Sequence, residues 1–464
     1  MHRRAPVPRR RPRFRGTTPD RTTATITPYF FHFKRQLVRP AMISSSPTSS
    51  SSPAPLPAVV LACRGAPGAD LNLVRALGRD GVPVIVVGEY PFPPSGYSRH
   101  CIEFICARDF TLHPQRLLKV LRELRMRHGQ ALPVFASADP DLRVMAELHA
   151  ELVGTALWLS SSPDMIARLQ DQRRFAELAR QHDLPVPALH APRTLEEVEA
   201  LGRTLAYPVL VKPARAGCWH RPGIDPALSR CRAVQVEDAQ ALMRLCCQLA
   251  PHGLELVIQD RVPGDVDQQW TVHACIARGG TPVALATTRT LRNWPADFGP
   301  ACHLETVAMP ALEAEARAML QRLKLRGMVS MNFRRDPHTG RMWLLEINPR
   351  ASGASLLLAR AGLNLPARVH REVCGRPPLP ETPWRTGLRY RHGRADLRAF
   401  LVRRRQGREP LLRGLLSMLH PRTVFRAFDP ADMGPPVQMT LDWLLGKLRG
   451  SGRWVWSRLG PGAA

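Results

Sequence analysis

Residues 328–350 read MVSMNFRRDPHTGRMWLLEINPR, and this stretch decides how the surrounding region folds. Two strand-like runs flank the segment DPHTG at 336–340, whose composition is typical of a tight turn, so the stretch predicts a β-hairpin. If those five residues form the loop, Asn332 pairs with Leu344 on the opposite strand. The hairpin and its register give the starting point for placing the polar side chains around it.

Three oxygen-bearing side chains share one face of this hairpin, because side chains return to the same face at every second residue. They are Asn332, Glu346 and Asn348. Converging carboxylate and amide oxygens suit a hard cation such as Mg²⁺, and no Cys or His is among them, which argues against zinc. Pro349 ends the strand, and the Arg350 guanidinium that follows suits phosphate or carboxylate oxygens. The alternative is the polar, solvent-facing side of an ordinary edge hairpin.

A second strand-like run, YPVLVKP at 207–213, contains Lys212, although only five of the 66 basic residues in the chain are lysine. An ammonium group at a strand end is a good phosphate anchor, whereas the alternative is a gatekeeper lysine that protects an edge strand. Arginine supplies almost all the other positive charge, so a gatekeeper at this position would be expected to be arginine. The pattern therefore favours phosphate binding by Lys212.

Four segments in this order resemble the ATP-grasp superfamily: PVLVKP at 208–213, VIQDRVPGD at 257–265, MNFRRD at 331–336 and LLEINPR at 344–350. Each segment alone is weakly specific, but the ordered set is specific. The resemblance is strongest to the carboxylate-amine ligase branch related to D-aspartate ligase, and to the ATP-binding domains of biotin carboxylase and carbamoyl-phosphate synthase. It covers about residues 58–375 and implies a Rossmann-like pre-ATP-grasp domain followed by a two-lobed ATP-grasp domain.

The resemblance implies a nucleotide site at five positions. Lys212 resembles the lysine that holds the ATP phosphates. Gln259, Asp260 and Val262 resemble the interdomain segment whose backbone meets the adenine edge, and Asp267 resembles the acid near the ribose. ATP is therefore the expected nucleotide.

The resemblance also implies a metal and a reaction. Asn332, Glu346 and Asn348 match the positions that bind Mg²⁺, with Mn²⁺ as a second candidate metal, and Asn332 stands where relatives often have Glu or Gln. Arg350 matches the arginine of the Asn-Pro-Arg motif, which steadies the acyl-phosphate transition state. The implied enzyme is an ATP-dependent carboxylate-amine ligase: a substrate carboxylate attacks the γ-phosphate, and an amine captures the acyl phosphate to give an amide-type bond. Its expected partners are a small-molecule carboxylate and an amine.

Three further residues are candidates for gripping a substrate carboxylate. Arg289, Arg292 and His303 lie on and after the second strand of a predicted antiparallel pair, 270–277 and 282–291. Their positive or proton-donating side chains suit a carboxylate.

Two departures from the family pattern bear on whether this chain uses ATP. Asp171-Gln172 stands where relatives usually read Asp-Lys, so one phosphate lysine is missing, and Arg173 or Arg174 is a candidate to replace it. The loop ARAGCWHRPG at 214–223 is also poorer in glycine than the usual phosphate lid. These departures leave open a non-catalytic or weakly ATP-binding relative.

The chain divides by composition into four regions. Residues 1–57 are rich in Arg, Pro and Ser and are predicted to be a disordered extension, because such a segment cannot bury enough apolar surface to fold. Alternating apolar strands and amphipathic helices over 58–160 predict a parallel α/β domain. Residues 161–375 predict a mixed α+β domain that begins with one long helix at 164–182. Residues 376–464 predict a basic helical appendage.

The formal net charge of +28 is concentrated at the two ends of the 464-residue chain. Residues 1–41 carry +10 and residues 376–464 carry +11, which raises nucleic-acid binding through the cationic termini as an alternative function. No zinc finger, aromatic RNA-binding motif or recognition helix accompanies the charge, so no specific nucleic acid is expected.

The helical stretch predicted at 437–449 is amphipathic and basic, and Trp454 and Trp456 follow it. Such a helix either lies on an anionic membrane surface, docks on a protein partner, or packs on the core with its arginines in solvent. No apolar run is long enough to span a membrane. The ten cysteines form no CxxC pair, which is the usage of a cytoplasmic protein with reduced thiols.

Overall fold

The computed structural model describes residues 54–445 with short gaps. The residues left out are 65–67, 216, 220–221, 226–227, 229–231, 297 and 381–382. Most of the extension predicted at 1–57, the end of the helix predicted at 437–449 and both Trp454 and Trp456 lie outside the described residues. Within the part that is described, no helix has the length and apolar character needed to cross a bilayer.

The N-terminal domain is a parallel α/β unit, as the alternation of strands and helices predicts. Its strands are β1 (Ala58–Ala62), β2 (Val84–Gly88), β3 (Cys101–Cys106), β4 (Leu132–Phe135) and β5 (Ala156–Leu157). Its helices are α1 (Ala69–Arg79), α2 (Pro114–His128), α3 (Asp139–Glu147) and α4 (His149–Leu152). The sheet order is β3-β2-β1-β4-β5 with every pair parallel, and its central strands are buried on both faces. The order reverses between β1 and β4, which makes the carboxyl ends of those two strands a natural binding crevice.

Two consecutive helices replace the single helix predicted at 164–182. They are α5 (Pro163–Gln170) and α6 (Gln172–Gln181). The chain is extended at Asp171. Its carboxylate accepts hydrogen bonds from the main-chain N–H groups of Arg173 and Arg174 and so caps the second helix. Asp171 also forms an isolated bridge with Arg215. The apolar spacing continues through the break, so periodicity alone did not reveal it.

A small four-stranded antiparallel sheet follows and forms the first lobe. Its strands are β6 (Leu189–His190), β7 (Val209–Pro213), β8 (Val234–Val236) and β9 (Leu256–Asp260), in the order β6-β9-β7-β8. Helices α7 (Leu195–Gly202) and α8 (Ala239–Leu249) cover it. Branched residues of β7 and β9 pack with both helices into one apolar core, which leaves the strand ends to present polar groups.

A seven-stranded sheet forms the second lobe. Its first five strands are β10 (Gln269–Ile276), β11 (Pro282–Asn293), β12 (Ala301–Val307), β13 (Gly327–Arg335) and β14 (Met342–Asn348), all paired antiparallel. Helix α9 (Pro310–Arg322) packs on one face, with Trp270 and Phe333 in the core beneath it. Helices α10 (Ser355–Ala361) and α11 (Leu365–Val373) join part of the opposite face to the N-terminal domain.

The C-terminal region was predicted to be a helical appendage, but it also contributes two short strands that extend this sheet. Strands β15 (Arg389–Arg391) and β16 (Thr423–Phe425) complete the order β14-β13-β10-β11-β12-β15-β16. The helices are α12 (Gly393–Arg405), α13 (Leu411–Met418) and α14, residues 434–445. Strands of three residues are too short to produce a readable alternation, which is why the sequence did not reveal them.

A buried ion pair ties the end of the described chain to the N-terminal domain. Arg75 of α1, 1% exposed, donates from Nε to Asp432 at 2.8 Å. Its other nitrogens donate to the carbonyls of Arg426, Ala427 and Asp432 at 3.0 Å each. Because a buried guanidinium without partners is costly, the N-terminal domain depends on residues more than 350 positions away.

Candidate active site

The β13–β14 hairpin pairs in a register that differs from the predicted one. Asn332 lies opposite Glu346 and Ser330 opposite Asn348, so the predicted pairing of Asn332 with Leu344 is wrong. Two one-residue shifts cause the difference. The turn holds six residues, so that Arg335 pairs with Met342, and a β-bulge then separates the Asn332–Glu346 pair from the Phe333–Leu344 pair, whose side chains lie in the core. Paired residues share a face, so Asn332, Glu346 and Asn348 still lie together.

These three side chains form a hydrogen-bonded group across adjacent strands. The Glu346 Oε1 atom accepts hydrogen bonds from the amide nitrogens of Asn332 at 2.5 Å and of Asn348 at 3.2 Å. Thr271 of β10 lies opposite Asn332 and donates to its Oδ1 at 2.8 Å. Each of the three hairpin side chains is half-exposed, so the group opens to solvent instead of facing the core.

Lys212 comes from the first lobe and approaches this group. Its ammonium donates a hydrogen bond to Gln259 Oε1, and Gln259 is 1% exposed. Burial lowers the pKa of Lys212, the carboxylate of Glu346 raises it, and the guanidinium of Arg334 lowers it. The end of β7 and the hairpin therefore lie close enough for their charges to interact. We call the region between these two sheets the cleft.

The segment after β9 is held to the second lobe. Arg334 donates to the Gly264 carbonyl at 2.6 Å, and Asp265 accepts two hydrogen bonds from Arg403 of α12, at 2.9 and 2.8 Å. This pairing lowers the pKa of Asp265 to about 2. Asp267 is exposed in the short turn Val266–Gln268. Asp267, the acid predicted near the ribose, therefore faces solvent. Asp265, two residues earlier, anchors the segment to the second lobe.

Two other predicted nucleotide positions have defined surroundings. The Asp260 amide donates to the Ala188 carbonyl at 2.9 Å, so this N–H is already engaged. Val262 is 6% exposed and lies just beyond the strand end. Asp260 is the last residue of β9, whereas Val262 lies beyond the strand and outside its pairing.

Arg350 joins the hairpin to the N-terminal domain. Its Nε donates to Asp139 Oδ1 at 2.6 Å and its Nη2 donates to Oδ2 at 3.1 Å. Burial disfavours the charged guanidinium, but Asp139 and then Glu346 outweigh it and raise the pKa of Arg350. Asp139 begins α3 directly beyond the carboxyl end of β4, at the point where the strand order reverses. The crevice of the N-terminal domain therefore opens onto the hairpin.

Sequence reasoning missed Asp139. A signal was available: the polar residues Ser137, Asp139 and Asp141 directly follow an apolar parallel strand. Asp141 is fully buried and accepts hydrogen bonds from Ser137 and from the Ala138 amide, and burial raises its pKa to about 6. Asp141 therefore shapes the turn, while Asp139 faces the second lobe.

Comparison with known proteins fits this architecture. Residues 275–395 match the family described as ATP-grasp in the biosynthetic pathway with Ter operon, a stretch that includes the hairpin and Arg350 but not Lys212. An L-amino acid ligase from Bacillus licheniformis is similar in structure, with a TM-score of 0.51 at 14% identity over 71% of this chain and 76% of its own. The chain has the ATP-grasp fold.

Two further solved structures are similar over a comparable length. The N5-carboxyaminoimidazole ribonucleotide synthetase from Thermus thermophilus has a TM-score of 0.52 at 19% identity, over 71% of this chain and 81% of that one. The biotin carboxylase domain of the Hydrogenobacter thermophilus 2-oxoglutarate carboxylase, solved with MgADP, ADP and bicarbonate, has a TM-score of 0.52 at 14% identity, over 72% and 73%. These likenesses confirm the predicted ATP-grasp fold with its preceding α/β domain.

The hairpin donor set fits a hard divalent cation that takes few protein ligands. It offers one carboxylate and two amide groups on one half-exposed face. Within the described ranges, no group of three or more His, Cys, Asp or Glu side chains could hold a metal ion. A site with a single carboxylate suits Mg²⁺ bound together with substrate phosphates, and it does not suit a metal held by protein alone.

The candidates to replace the missing phosphate lysine are engaged elsewhere in this ATP-grasp fold. The Arg173 guanidinium donates to the carbonyls of Pro192 and Leu254, at 3.1 and 2.6 Å. Arg174 forms a surface ion pair with Asp164 at 2.7 Å. The Gln172 amide nitrogen of the main chain bonds to Ala214 at 2.8 Å, next to the loop that follows Lys212.

The three candidate substrate residues lie apart from the hairpin group. Arg289 pairs with Trp270, which pairs with Phe333, so it belongs to the face that α9 covers and not to the face of Asn332. Its guanidinium donates to Glu305 at 3.3 Å.

Arg292 and His303 are buried beneath the C-terminal region. Arg292 is 2% exposed and donates to Asp396 at 2.5 Å and to Glu409 at 2.7 Å, and one of its nitrogens lies 3.0 Å from His303 Nδ1. His303 is fully buried, and burial lowers its pKa. Arg292 and His303 therefore hold α12 against the second lobe. We propose no substrate contact for these two residues or for Arg289.

Proposed function

We propose that this protein is an ATP-dependent carboxylate-amine ligase that forms an amide-type bond through an acyl phosphate. One observation carries the proposal: Asn332, Glu346 and Asn348 lie together on one face of the hairpin, and Asp139 holds Arg350 at the end of the same strand. Lys212, at the end of β7, lies near enough to Glu346 for the carboxylate to raise its pKa. This arrangement combines a phosphate anchor, a cation site and a guanidinium within a cleft of the ATP-grasp fold. Phosphoryl transfer needs little more from a protein than such positioning and charge neutralisation.

In this proposal the nucleotide lies between the two sheets. Lys212 binds the phosphates, the segment from Gln259 through Val262 meets the adenine, and Asp267 is near the ribose. Burial of Lys212 beside Gln259 supports a phosphate role, because a desolvated ammonium gains more from an anionic ligand than an exposed one does.

Asn332, Glu346 and Asn348 would hold Mg²⁺, or Mn²⁺ in its place. When bound, the cation would neutralise phosphate charge and would help to orient the γ-phosphate for attack. Binding requires the amide groups of Asn332 and Asn348 to rotate their oxygens towards the cation, away from their present hydrogen bonds to Glu346.

The reaction then proceeds in two steps. A substrate carboxylate oxygen attacks the γ-phosphorus, the bond from that phosphorus to the bridging oxygen breaks, and ADP leaves with the electron pair. An amine nitrogen next attacks the acyl carbon, phosphate leaves, and the nitrogen loses a proton to the surrounding water. Arg350 offsets the negative charge on the transferred phosphoryl group and on the carboxylate.

The Arg350–Asp139 contact supports a substrate position between the hairpin and the N-terminal domain. The crevice beyond β1 and β4 is the position where parallel α/β sheets commonly bind ligands. An acid bound there would approach the γ-phosphate from the side opposite the first lobe. The chemical identity of the acid and amine is set by side chains of this crevice.

A second function, ATP binding without ligation, is favoured by one observation. Gln172 replaces the expected lysine, and both neighbouring arginines are engaged by other partners. A site with one phosphate lysine fewer is expected to bind ATP more weakly. Nucleotide binding without turnover in the presence of any acid and amine would support this second function.

The test is ADP release by the full-length protein with Mg-ATP, screened against pools of amino acids, other carboxylic acids and amines. The proposal predicts release that requires both an acid and an amine. Lys212→Met and Glu346→Gln should each reduce kcat/KM at least about 100-fold, because each removes charge stabilisation of the transferring phosphoryl group.

Lys119→Met is the matched control, because Lys119 is an exposed lysine on α2 of the N-terminal domain. Its activity should equal that of the wild type. Ligation that survives both Lys212→Met and Glu346→Gln would exclude the proposed site.

A further inference from the structure

The exposed apolar side chains of this protein are concentrated at its C-terminal end. Of the 21 large apolar side chains that are exposed among the described residues, 15 lie between positions 397 and 445. Leu412 and Leu416 of α13 are 69% and 61% exposed. Large apolar patches on a surface usually mark an interaction site.

Eleven of these 15 side chains lie on three helices, and α12 contacts both of the others. Gly414 of α13 packs so tightly on the Phe400 ring of α12 that a Cβ atom would come within 1.9 Å of it. The Arg394 guanidinium of α12 stacks 5.0 Å from the ring of Trp443 in α14. We name this surface the C-terminal apolar face and define it by Leu397, Leu401, Leu412, Leu416, Leu441 and Trp443.

The charge around the C-terminal apolar face is strongly positive, because its acids are turned inward. Asp396, Glu409, Asp429 and Asp432 all pair with buried or half-buried arginines, and only Asp442 of the five acids between 393 and 445 is exposed. Among the side chains that the structure describes in this stretch, six arginines are exposed, namely Arg394, Arg398, Arg404, Arg405, Arg408 and Arg422. An apolar surface with a basic rim complements an anionic lipid surface.

We propose that the C-terminal apolar face binds the surface of an anionic lipid bilayer. The leucines and Trp443 enter the boundary between headgroups and acyl chains, and the exposed arginines contact the lipid phosphates. A second copy of the chain fits the face less well, because a symmetric contact would bring the same arginines of both copies together. The proposal is independent of the ligase function, since none of the face residues belongs to the cleft.

The experiment is flotation of full-length protein with vesicles of phosphatidylcholine alone or with about a third phosphatidylglycerol. Wild-type protein should float with the anionic vesicles, and less protein should float as salt is raised, because screening weakens the arginine contacts. The Leu412→Glu/Leu416→Glu variant should partition at least about tenfold more weakly, since two apolar anchors are replaced by charges.

A matched control separates the face from overall charge. Leu112→Glu/Met126→Glu makes the same change in charge at leucine and methionine side chains that are 76% and 74% exposed in the N-terminal domain. It should leave flotation unchanged. Equal loss in the two double variants would mean that net charge, including the basic residues 1–41, drives binding, and would overturn the proposal.

A second variant keeps the test valid if the glutamates disturb folding. Arg398→Gln/Arg405→Gln on α12 should weaken flotation, whereas Arg122→Gln/Arg125→Gln on the exposed side of α2 should not. Thermal melting reports whether each variant is folded. Absence of wild-type flotation would overturn the proposal. So would a wild-type dimer, in sedimentation velocity, that Leu412→Glu/Leu416→Glu dissociates while flotation is unchanged.

Discussion

Arg350 of the hairpin and Asp139 of the N-terminal domain form a two-pronged ion pair across 211 positions of sequence. The pair fixes the guanidinium plane, because Nε and Nη2 each bond to a different carboxylate oxygen. It also joins the two domains at the edge of the cleft. Under the proposed function, Asp139 is thus a positioning residue that acts on the reaction through Arg350.

Asp139→Asn should lower kcat about 100-fold, because a guanidinium misplaced by about 1 Å no longer meets the phosphoryl group. The KM for ATP should change less than about threefold, since Lys212 and the adenine segment are untouched. Steady-state ADP release with the acid and amine identified by the screen measures both constants. Asp139→Glu, which restores the carboxylate, should recover part of kcat.

Asp164→Asn is the control for this prediction, because Asp164 also pairs with an arginine but its side chain is 69% exposed. Its kcat should equal that of the wild type. If Asp139→Asn instead raises the KM for ATP with kcat unchanged, Asp139 acts in nucleotide binding and the positioning role is excluded.

Adding a carboxylate to the hairpin should strengthen cation binding. In Asn332→Glu, two carboxylates face one cation, so the Mg²⁺ concentration for half-maximal MgADP binding should fall about tenfold. Calorimetric titration of ADP at several Mg²⁺ concentrations measures the change. Asn332→Gln, which adds length without charge, is the control and should bind Mg²⁺ no more tightly than the wild type. A higher Mg²⁺ requirement in Asn332→Glu would exclude the hairpin as the cation site.

Local sequence patterns were sufficient for the parts of the site that lie on one hairpin. Alternation put Asn332, Glu346 and Asn348 on one face, and the rarity of lysine singled out Lys212. The register was wrong because the turn is one residue longer than the five residues assumed, and a β-bulge between Asn332 and Phe333 adds a second one-residue shift. The two shifts together restore the predicted face, because side chains return to the same face at every second residue. The shared face was predicted correctly although the pairing was not.

Long-range contacts could not be predicted in this way. Arg292 looks like a substrate ligand in sequence, yet Asp396 and Glu409, more than 100 positions away, enclose it. Asp139 follows an ordinary apolar strand, and its role depends on Arg350 in another domain. Electrostatic partners of this kind depend on the tertiary arrangement, which apolar periodicity does not encode.

Removing the Arg292 charge should affect stability and leave substrate binding unchanged. Arg292→Met removes one cation from a buried cluster in which Asp396 keeps Arg391 and Glu409 keeps Arg403. The loss should cost about 2 kcal/mol of unfolding free energy, less than a buried charge left without any partner. Urea unfolding measures the loss, and the folded fraction should keep the wild-type KM for acid, amine and ATP. A raised KM with unchanged stability would return Arg292 to the substrate site.

The Asp265–Arg403 pair should make stability depend on pH in acid solution. The hydrogen bonds from Arg403, together with the Val266 amide and the charge of Arg408, lower the pKa of Asp265 from 3.8 to about 2, so the folded state releases this proton more readily than the unfolded state. The pair therefore stabilises the fold fully above about pH 4, and its contribution should fall to about half near pH 3. The difference in unfolding free energy between wild type and Arg403→Gln should shrink accordingly between about pH 6 and pH 3. Arg203→Gln, which breaks only the exposed pair with Glu199, should give no such change, and a pH-independent difference for Arg403→Gln would contradict the assignment.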